Sequence, residues 1–455
     1  MSEISTTPGP SRGTKLRRTL TLWDLILYGI VVIQPTAPMS IFGVLDKHGR
    51  GHVVTAILFA MAAMLFTAIS YGRMARAYPS AGSAFTYVGQ EINPALGYIT
   101  GWSMVMDYML NPMICVIWIS QQANVFVPNI HYWIWALVVT ALFTGLNIVG
   151  VRTSARVNAG LATGMGVVIL IFFAAAARYI FQTAHSAAFY TRPFYDPATF
   201  SMGTVLGGTS IAVLTYIGFD GISTLSEEVE NPRRNILLAT VITCVAIGVL
   251  SALQVYAAQL INPTPDLSTE RMVDTAFVHV ASQAWAPLLA IVGFTLVVAN
   301  FGSGMGAMLG AARLLYGMGR SDALPKSFFG QIDAKSHIPR NNVLFVAVLT
   351  LIGAFVLNFD LGAQMLNFGA LIAFMGVNLA AFMRYYVRAD KKTLGNLLPP
   401  VLGFLICLAL WIGLSRRAWI AGSIWMLVGI AYGAWRTRGF KAELVNFDVP
   451  ADDES

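Results

Sequence analysis

The chain has 455 residues, 56% of them hydrophobic and only 11% charged, with a formal net charge of +7. A soluble domain of ordinary composition carries about a quarter charged residues, so these proportions exclude a water-soluble globular protein. The three cysteines all fall in apolar stretches and there is no P-loop pattern, so the sequence gives no sign of a disulfide framework, a metal site or a nucleotide-hydrolysing domain.

Apolar runs of about 20 residues, the length that crosses a bilayer, recur along the chain and predict an all-α integral membrane protein. Residues 1–18, rich in Ser, Thr, Pro and Arg, read as a disordered tail without the apolar core of a signal peptide. Twelve spans follow, at 22–45, 53–77, 94–127, 132–150, 157–181, 203–229, 235–260, 285–316, 342–358, 362–387, 396–414 and 418–436. Residues 441–455 form a second tail that ends in acids. The third, sixth and eighth spans exceed what a bilayer requires, so they must tilt, break or protrude.

Lysine and arginine set the expected orientation. An even number of spans puts both ends on one side; that side collects 22 of the 29 basic residues and the other side seven. Both termini are therefore expected in the cytoplasm. The bias accounts for the basic net charge without any nucleic-acid partner.

Span one opens with Asp24, a helix-capping residue type, and is interrupted at Ile33-Gln34-Pro35-Thr36-Ala37-Pro38. Each proline removes a backbone donor and disfavours helix at the residue before it. Span three holds Asp107, followed by Tyr108. Span six meets Gly218-Phe219-Asp220-Gly221, two glycines around an acid, then resumes and ends in Glu227, Glu228 and Glu230 beside Arg233 and Arg234. Those last residues read equally as a cytoplasmic gate or as helix-end ion pairs.

An acid at membrane depth costs at least ~2.5 kcal/mol on insertion scales, so it defaults to function. A helix broken there must line protein or a cavity, because lipid satisfies no backbone group. The competing readings are a simple proline kink in span one, glycine-mediated packing around a structural acid in span six, and a structurally bonded Asp107. The two interruptions lie five spans apart. Breaks at corresponding positions of two halves point to an inverted-repeat transporter with a midplane site, its core at 19–390 (repeats 19–181 and 203–390) and two further spans at 391–440.

No lysine sits deep in a span, so the expected cavity is net negative. That favours a cationic substrate, or protons carried on carboxylates, and a carboxylate that holds a proton and an amine in turn is a simple coupling device. Tyr108, Tyr216 and Phe219 are placed to box an amine by cation–π contact. Ser303, within Gly302-Ser303-Gly304-Met305-Gly306, offers a hydroxyl to a sodium ion, although such a stretch also fits close helix packing.

Several segments carry a family resemblance. They are Phe66-Thr67-Ala68-Ile69-Ser70-Tyr71-Gly72, Tyr78-Pro79-Ser80-Ala81-Gly82-Ser83-Ala84, Gly101-Trp102-Ser103 with Asp107-Tyr108, and Gly218-Phe219-Asp220 with 224–228. Residues 313–320 and Asn367-Phe368-Gly369-Ala370-Leu371 belong with them. Over residues 15–437 the chain resembles the amino acid–polyamine–organocation transporters, and among them the bacterial putrescine importers. The resemblance implies a LeuT-like fold with five-plus-five inverted repeats, alternating access, and substrate held between broken helices one and six with helices three, eight and ten nearby. It implies a substrate-recognition role for Tyr108 and an acidic functional position at Asp220.

Two departures matter. Amino-acid carriers of this kind often have Gly-Ser-Gly in helix one, where backbone amides hold the substrate carboxylate; the prolines at 35 and 38 subtract such donors. Some relatives use a helix-five lysine as a proton switch, and the matching position here is Met165.

The sequence therefore leads to a secondary transporter, not an enzyme, in a bacterial inner membrane, which imports putrescine or a related amine by proton-coupled alternating access. Its expected substrate-binding residues are Ile33, Gln34, Thr36, Asp107, Tyr108, Tyr216, Gly218, Phe219 and Asp220, with Asp220, Asp107 and Ser303 as coupling candidates and H+ or Na+ in place of any cofactor. An amino-acid importer or exchanger, and a ligand sensor that does not transport, are the alternatives. The lipid bilayer and a small-molecule substrate are the expected partners, and no oligomeric state follows.

Overall fold

A computed structural model describes residues 20–78, 83–149, 155–182, 184–225, 229–320, 324–333 and 338–439. Among these it is built from helices: α1 (Leu22–Ile33), α2 (Ala37–Gly49), α3 (Val53–Ala77), α4 (Ser83–Glu91), α5 (Pro94–Phe126), α6 (Tyr132–Val149), α7 (Ala155–Ile180), α8 (Ala187–Thr191), α9 (Met202–Ala212), α10 (Pro232–Ile261), α11 (Glu270–Asp274), α12 (Ala276–Ala284), α13 (Leu288–Arg320), α14 (Lys326–Phe329), α15 (Arg340–Val356), α16 (Phe359–Phe382), α17 (Leu394–Ile412) and α18 (Arg416–Arg436). Ten helices are long and apolar enough to cross a membrane, eleven when the bent pair α1–α2 counts as one. The span expected at 342–358 is the shorter apolar helix α15, 17 residues long. The tails at 1–18 and 441–455, and the acids Glu227 and Glu228, lie outside the described residues.

Local chemistry sets the helix starts. Thr21, rather than Asp24, is the N-cap of α1: the Asp24 amide donates to the Thr21 hydroxyl oxygen at 3.3 Å, and the Thr21 amide donates back to the Asp24 carboxylate at 2.9 Å. That reciprocal pair is a capping box. Asn93, Ser201, Asn358 and Ser415 cap α5, α9, α16 and α18 with the one-way bond, each side chain accepting a first-turn backbone amide. The overlong spans resolve differently. The third and eighth become unbroken 33-residue helices, α5 and α13, each about 50 Å long at 1.5 Å per residue. The sixth gives up α-helical geometry after Ala212.

The interior is organised around α3, α5, α10, α13 and α16. α3 packs along α10, and α5 lies between α13 and α16. α5 is almost wholly buried, whereas most residues of α6, α17 and α18 are half-buried or exposed. Their outward side chains, such as Leu137, Leu405, Ile412, Ile424 and Leu427, are large and apolar, as a lipid-facing surface requires.

Two short helices not expected from the sequence, α11 and α12, follow α10 and pack on α2, with Phe277 edge-on to Phe42 at 5.7 Å. At that end Asp360, at the start of α16, meets Lys47 at 3.2 Å and His48 at 3.0 Å, both from the last turn of α2. At the other end the carboxylate of Glu91, the last residue of α4, receives Arg384 at 2.6 Å, Arg388 at 2.7 Å and the Tyr78 hydroxyl at 2.8 Å. The two arginines lie on and just after a π-helical turn, Met383–Val387, that ends α16.

Candidate functional site

The two prolines of span one act at separate places. α1 stops at Ile33, and Gln34 takes a left-handed φ of 65°. α2 starts at Ala37, so Pro38 falls in its first turn, where a missing N–H breaks no helical bond. The two axes meet at 45°. Side chains from other helices hold this break. Gln254 of α10 donates to the Pro35 carbonyl at 2.9 Å, and Asn300 of α13 donates to the Ser40 hydroxyl at 3.1 Å. Gln34 donates its own amide to the Ala299 carbonyl at 2.8 Å. The carbonyls of Gln34 and Thr36 accept from the amides of Ala37 and Met39, each at 3.0 Å. Thr36 is buried, its hydroxyl 3.8 Å from the sulfur of Met165.

The sixth span breaks by a different device. After α9 the chain makes a short 3-10 turn (Val213–Thr215), then a second (Phe219–Leu225). Between them Gly218 has φ +116°, a conformation closed to ordinary side chains. The Gly218 amide donates to Asp220 Oδ1 at 3.2 Å, so the acid folds back on its own segment. The Ser223 hydroxyl donates to the Asp220 carbonyl at 2.6 Å and lies 3.0 Å from the Ser83 hydroxyl at the start of α4. Helix one closes on this segment from the other side: a Cβ on Gly218 would sit 3.0 Å from Val32 and 3.5 Å from Ile33.

Asp107 stands on α5 where α16 comes closest. A Cβ at Gly369 would sit 2.5 Å from the Ser103 carbonyl oxygen and 3.5 Å from the Asp107 amide nitrogen, so only glycine admits this approach. Tyr108, next in sequence, lays its ring against Gly310 of α13. Asp107 and Asp220 are 7% and 6% exposed and lie within electrostatic reach of each other and of Tyr108. The structure thus brings together Asp107, Tyr108 and Asp220, from two helices far apart in sequence. It adds three tyrosines that sequence reasoning did not single out: Tyr28 of α1, Tyr71 of α3 and Tyr87 of α4. One signal was available for Tyr71. Thr67, Ser70 and Tyr71 form a buried polar stripe at helical spacing in an otherwise apolar span.

Other expected residues serve the frame. Tyr216 is fully buried and spends its hydroxyl on the Ile57 carbonyl at 2.9 Å. Phe219 packs edge-on to Tyr71 at 5.4 Å and against Phe374 at 5.3 Å. Ser303 bonds to Cys115 of α5, and the adjoining Gly304 is pressed against Phe143 and Cys115, a helix-packing arrangement.

The electrostatic character is one-sided. Among the described residues no lysine or arginine is buried, whereas Asp46, Glu91, Asp107, Asp220 and Asp274 are. The region between the broken helices has carboxylates and phenols. Its helix-one break presents few free amides: prolines 35 and 38 have none, and those of Ala37 and Met39 are already bonded. Such a site attracts cations and is poorly furnished for a carboxylate.

Comparison with known proteins gives the family. Residues 35–443 match the model of the amino acid permease family. The chain is 34% identical to the low-affinity putrescine importer PlaP of Escherichia coli, over 97% of this chain and 98% of that protein. It is 27% identical to the branched-chain amino acid permease BcaP of Lactococcus lactis, over 92% and 95% respectively. It is 24% identical to the methylthioribose transporter of Bacillus subtilis, over 94% and 95%. A chain of long apolar helices that matches this model over most of its length is a multi-pass membrane protein, and it belongs to the amino acid permease family of transporters.

Proposed function

We propose that the protein imports a small organic amine, putrescine or a close relative, across a bacterial inner membrane by proton-coupled alternating access. The observation that carries this reading is the pairing of two buried acids, Asp107 and Asp220, in an interior without a buried cation among the described residues. A diamine carries two ammonium groups, one for each acid, and each gains a charge-assisted hydrogen bond with a carboxylate. Tyr108 offers a ring face to the alkyl chain or to an ammonium. The carbonyls of Gln34, Pro35 and Thr36 already accept one hydrogen bond each and carry no charge, so the second ammonium favours the Asp107 carboxylate over helix one. The similarity to a putrescine importer over nearly the full length of both chains supports the same choice.

The architecture supports alternating access. Counting the bent pair as span one, α3 on α10 pairs the second span with the seventh, and α5 on α13 pairs the third with the eighth. Pairs five apart are what a five-plus-five inverted repeat produces, with α15 completing twelve spans and both termini on the cytoplasmic, basic side.

The test is uptake of radiolabelled putrescine into proteoliposomes under an inward proton gradient, with unlabelled diamines and amino acids as competitors. Gradient-dependent uptake blocked by diamines is the expected result. Competition by amino acids with diamines inert overturns it in favour of an amino-acid carrier, a reading that the permease relatives keep in view.

A further inference from the structure

Among the described residues, Tyr71 is an aromatic near the two acids whose polar end is unspent. Its side chain is 0% exposed, and its hydroxyl has no hydrogen-bond partner among the described residues. A buried hydroxyl left unpaired is a net cost to the fold, and phenylalanine at the same position would avoid it. The ring is not free to turn away. It is held edge-on by Tyr87 at 6.2 Å, Phe219 at 5.4 Å and Phe374 at 5.9 Å, from α4, the sixth span and α16. Phe219 is the residue before Asp220, so the ring that fixes Tyr71 belongs to the residue joined by a peptide bond to the acid. Asp220 and Asp107 both lie within electrostatic reach of Tyr71.

The two partners differ in their setting. Tyr71 belongs to α3, a continuous helix packed along α10. Asp220 belongs to an unwound segment and is presently turned onto the Gly218 amide at 3.2 Å. An ammonium group that approaches Asp220 competes with that amide for the carboxylate oxygens. A carboxylate drawn off the amide needs another donor to hold it in place, and an ammonium alone does not fix its direction.

We propose that Tyr71 is a positioning residue for Asp220: its hydroxyl donates to the Asp220 carboxylate once the carboxylate leaves the Gly218 amide to meet a substrate ammonium. This rests on the amine-import reading above. The hydroxyl is unpaired while Asp220 lies on the Gly218 amide, because its partner is the carboxylate once turned toward an ammonium. It contributes to affinity and leaves the stability of the empty protein unaided.

The experiment compares the full-length protein with Tyr71→Phe in proteoliposomes, using radiolabelled putrescine, and measures thermal unfolding of both in detergent without substrate. The expected result is a half-saturating concentration raised about tenfold, a maximal rate within twofold of the parent, and an unfolding temperature equal to or above the parent's. Equal half-saturation in the two proteins overturns the inference and leaves amine import standing. A lowered unfolding temperature, or a fall in maximal rate alone, overturns it as well, because the hydroxyl then has a structural or a rate-limiting role. No uptake of putrescine by the parent protein overturns the amine reading and this inference together.

Discussion

The hydroxyls of Ser83 and Ser223 lie 3.0 Å apart, and through them the start of α4 is tied to the turn that carries Asp220. Ser223 also donates to the Asp220 carbonyl at 2.6 Å, so one side chain sets the backbone of the acid and anchors it to a neighbouring helix. Ser223→Ala removes both contacts, at a net cost of about 1 kcal/mol per buried hydrogen bond. We expect a several-fold rise in the half-saturating concentration for putrescine uptake and a small fall in unfolding temperature. Unchanged values for both would show that the link is incidental.

The acids themselves bear the larger share. A hydrogen bond to a charged group contributes about 1.5–3 kcal/mol, or roughly 10-fold to 100-fold in affinity. Asp220→Asn, inserted and folded normally, should lower putrescine affinity by that factor, and Asp107→Asn should do the same for diamines while sparing monoamines. Equilibrium binding with putrescine and butylamine separates the two roles. A properly inserted Asp220→Asn protein with unchanged amine uptake would sink the functional reading.

Glu91 tests the frame rather than the site. Its carboxylate is almost wholly buried and satisfies Arg384, Arg388 and Tyr78. Both guanidinium groups reach solvent, which tempers their energy. Glu91→Ala should therefore destabilise by about 2 kcal/mol, below the cost of breaking a fully buried pair. Unfolding in detergent should show it, and retention of the parent's unfolding temperature would show that solvent compensates both arginines.

Asp274 gives a pH dependence with a definite sign. It ends α11, outside the long apolar helices, and burial together with Glu270 and Asp360 holds its carboxyl well above the usual carboxylate range. The folded state therefore favours the protonated acid more than the unfolded chain does. The stabilisation is fully present below the unfolded value near 3.8 and is lost as pH rises through the raised folded value. Asp274→Asn should raise the unfolding temperature at pH 8, with the gain vanishing toward pH 4. A gain independent of pH would trace to something other than this ionisation.

The span pattern and the two acids were legible because an apolar run or an acid at membrane depth has few alternative explanations. The helix-one break was legible because proline has fixed backbone consequences, and the helix-six break because glycines flank an acid. The aromatics were harder. Phe219 adjoins Asp220, but in a 3-10 turn successive residues point about 120° apart, so adjacency placed it behind the acid, in packing against Tyr71 and Phe374. Tyr71 and Tyr87 come from other helices, and in a chain with 12% aromatic residues nothing local distinguishes Tyr87, while Tyr71 has only the polar stripe it shares with Thr67 and Ser70. The short helices α11 and α12, five and nine residues, leave no apolar run long enough to notice.

The bridge between Leu20 and Val229 joins the chain just ahead of α1 to the stretch just beyond the second 3-10 turn, through a backbone bond from Glu230 to Leu20 at 2.9 Å. One such bond is worth about 1 kcal/mol, little more than thermal energy. The far ends of the same two spans meet where α9 packs on α2, and α2 is held further by Lys47 and His48 on Asp360 and by α11 and α12 laid over it. The molecule therefore resembles a double door with one latched leaf and one leaf resting on a light catch. On the alternating-access proposal, the empty protein is expected to open first at the face that bears Leu20, with substrate or ions needed to lift the latch opposite.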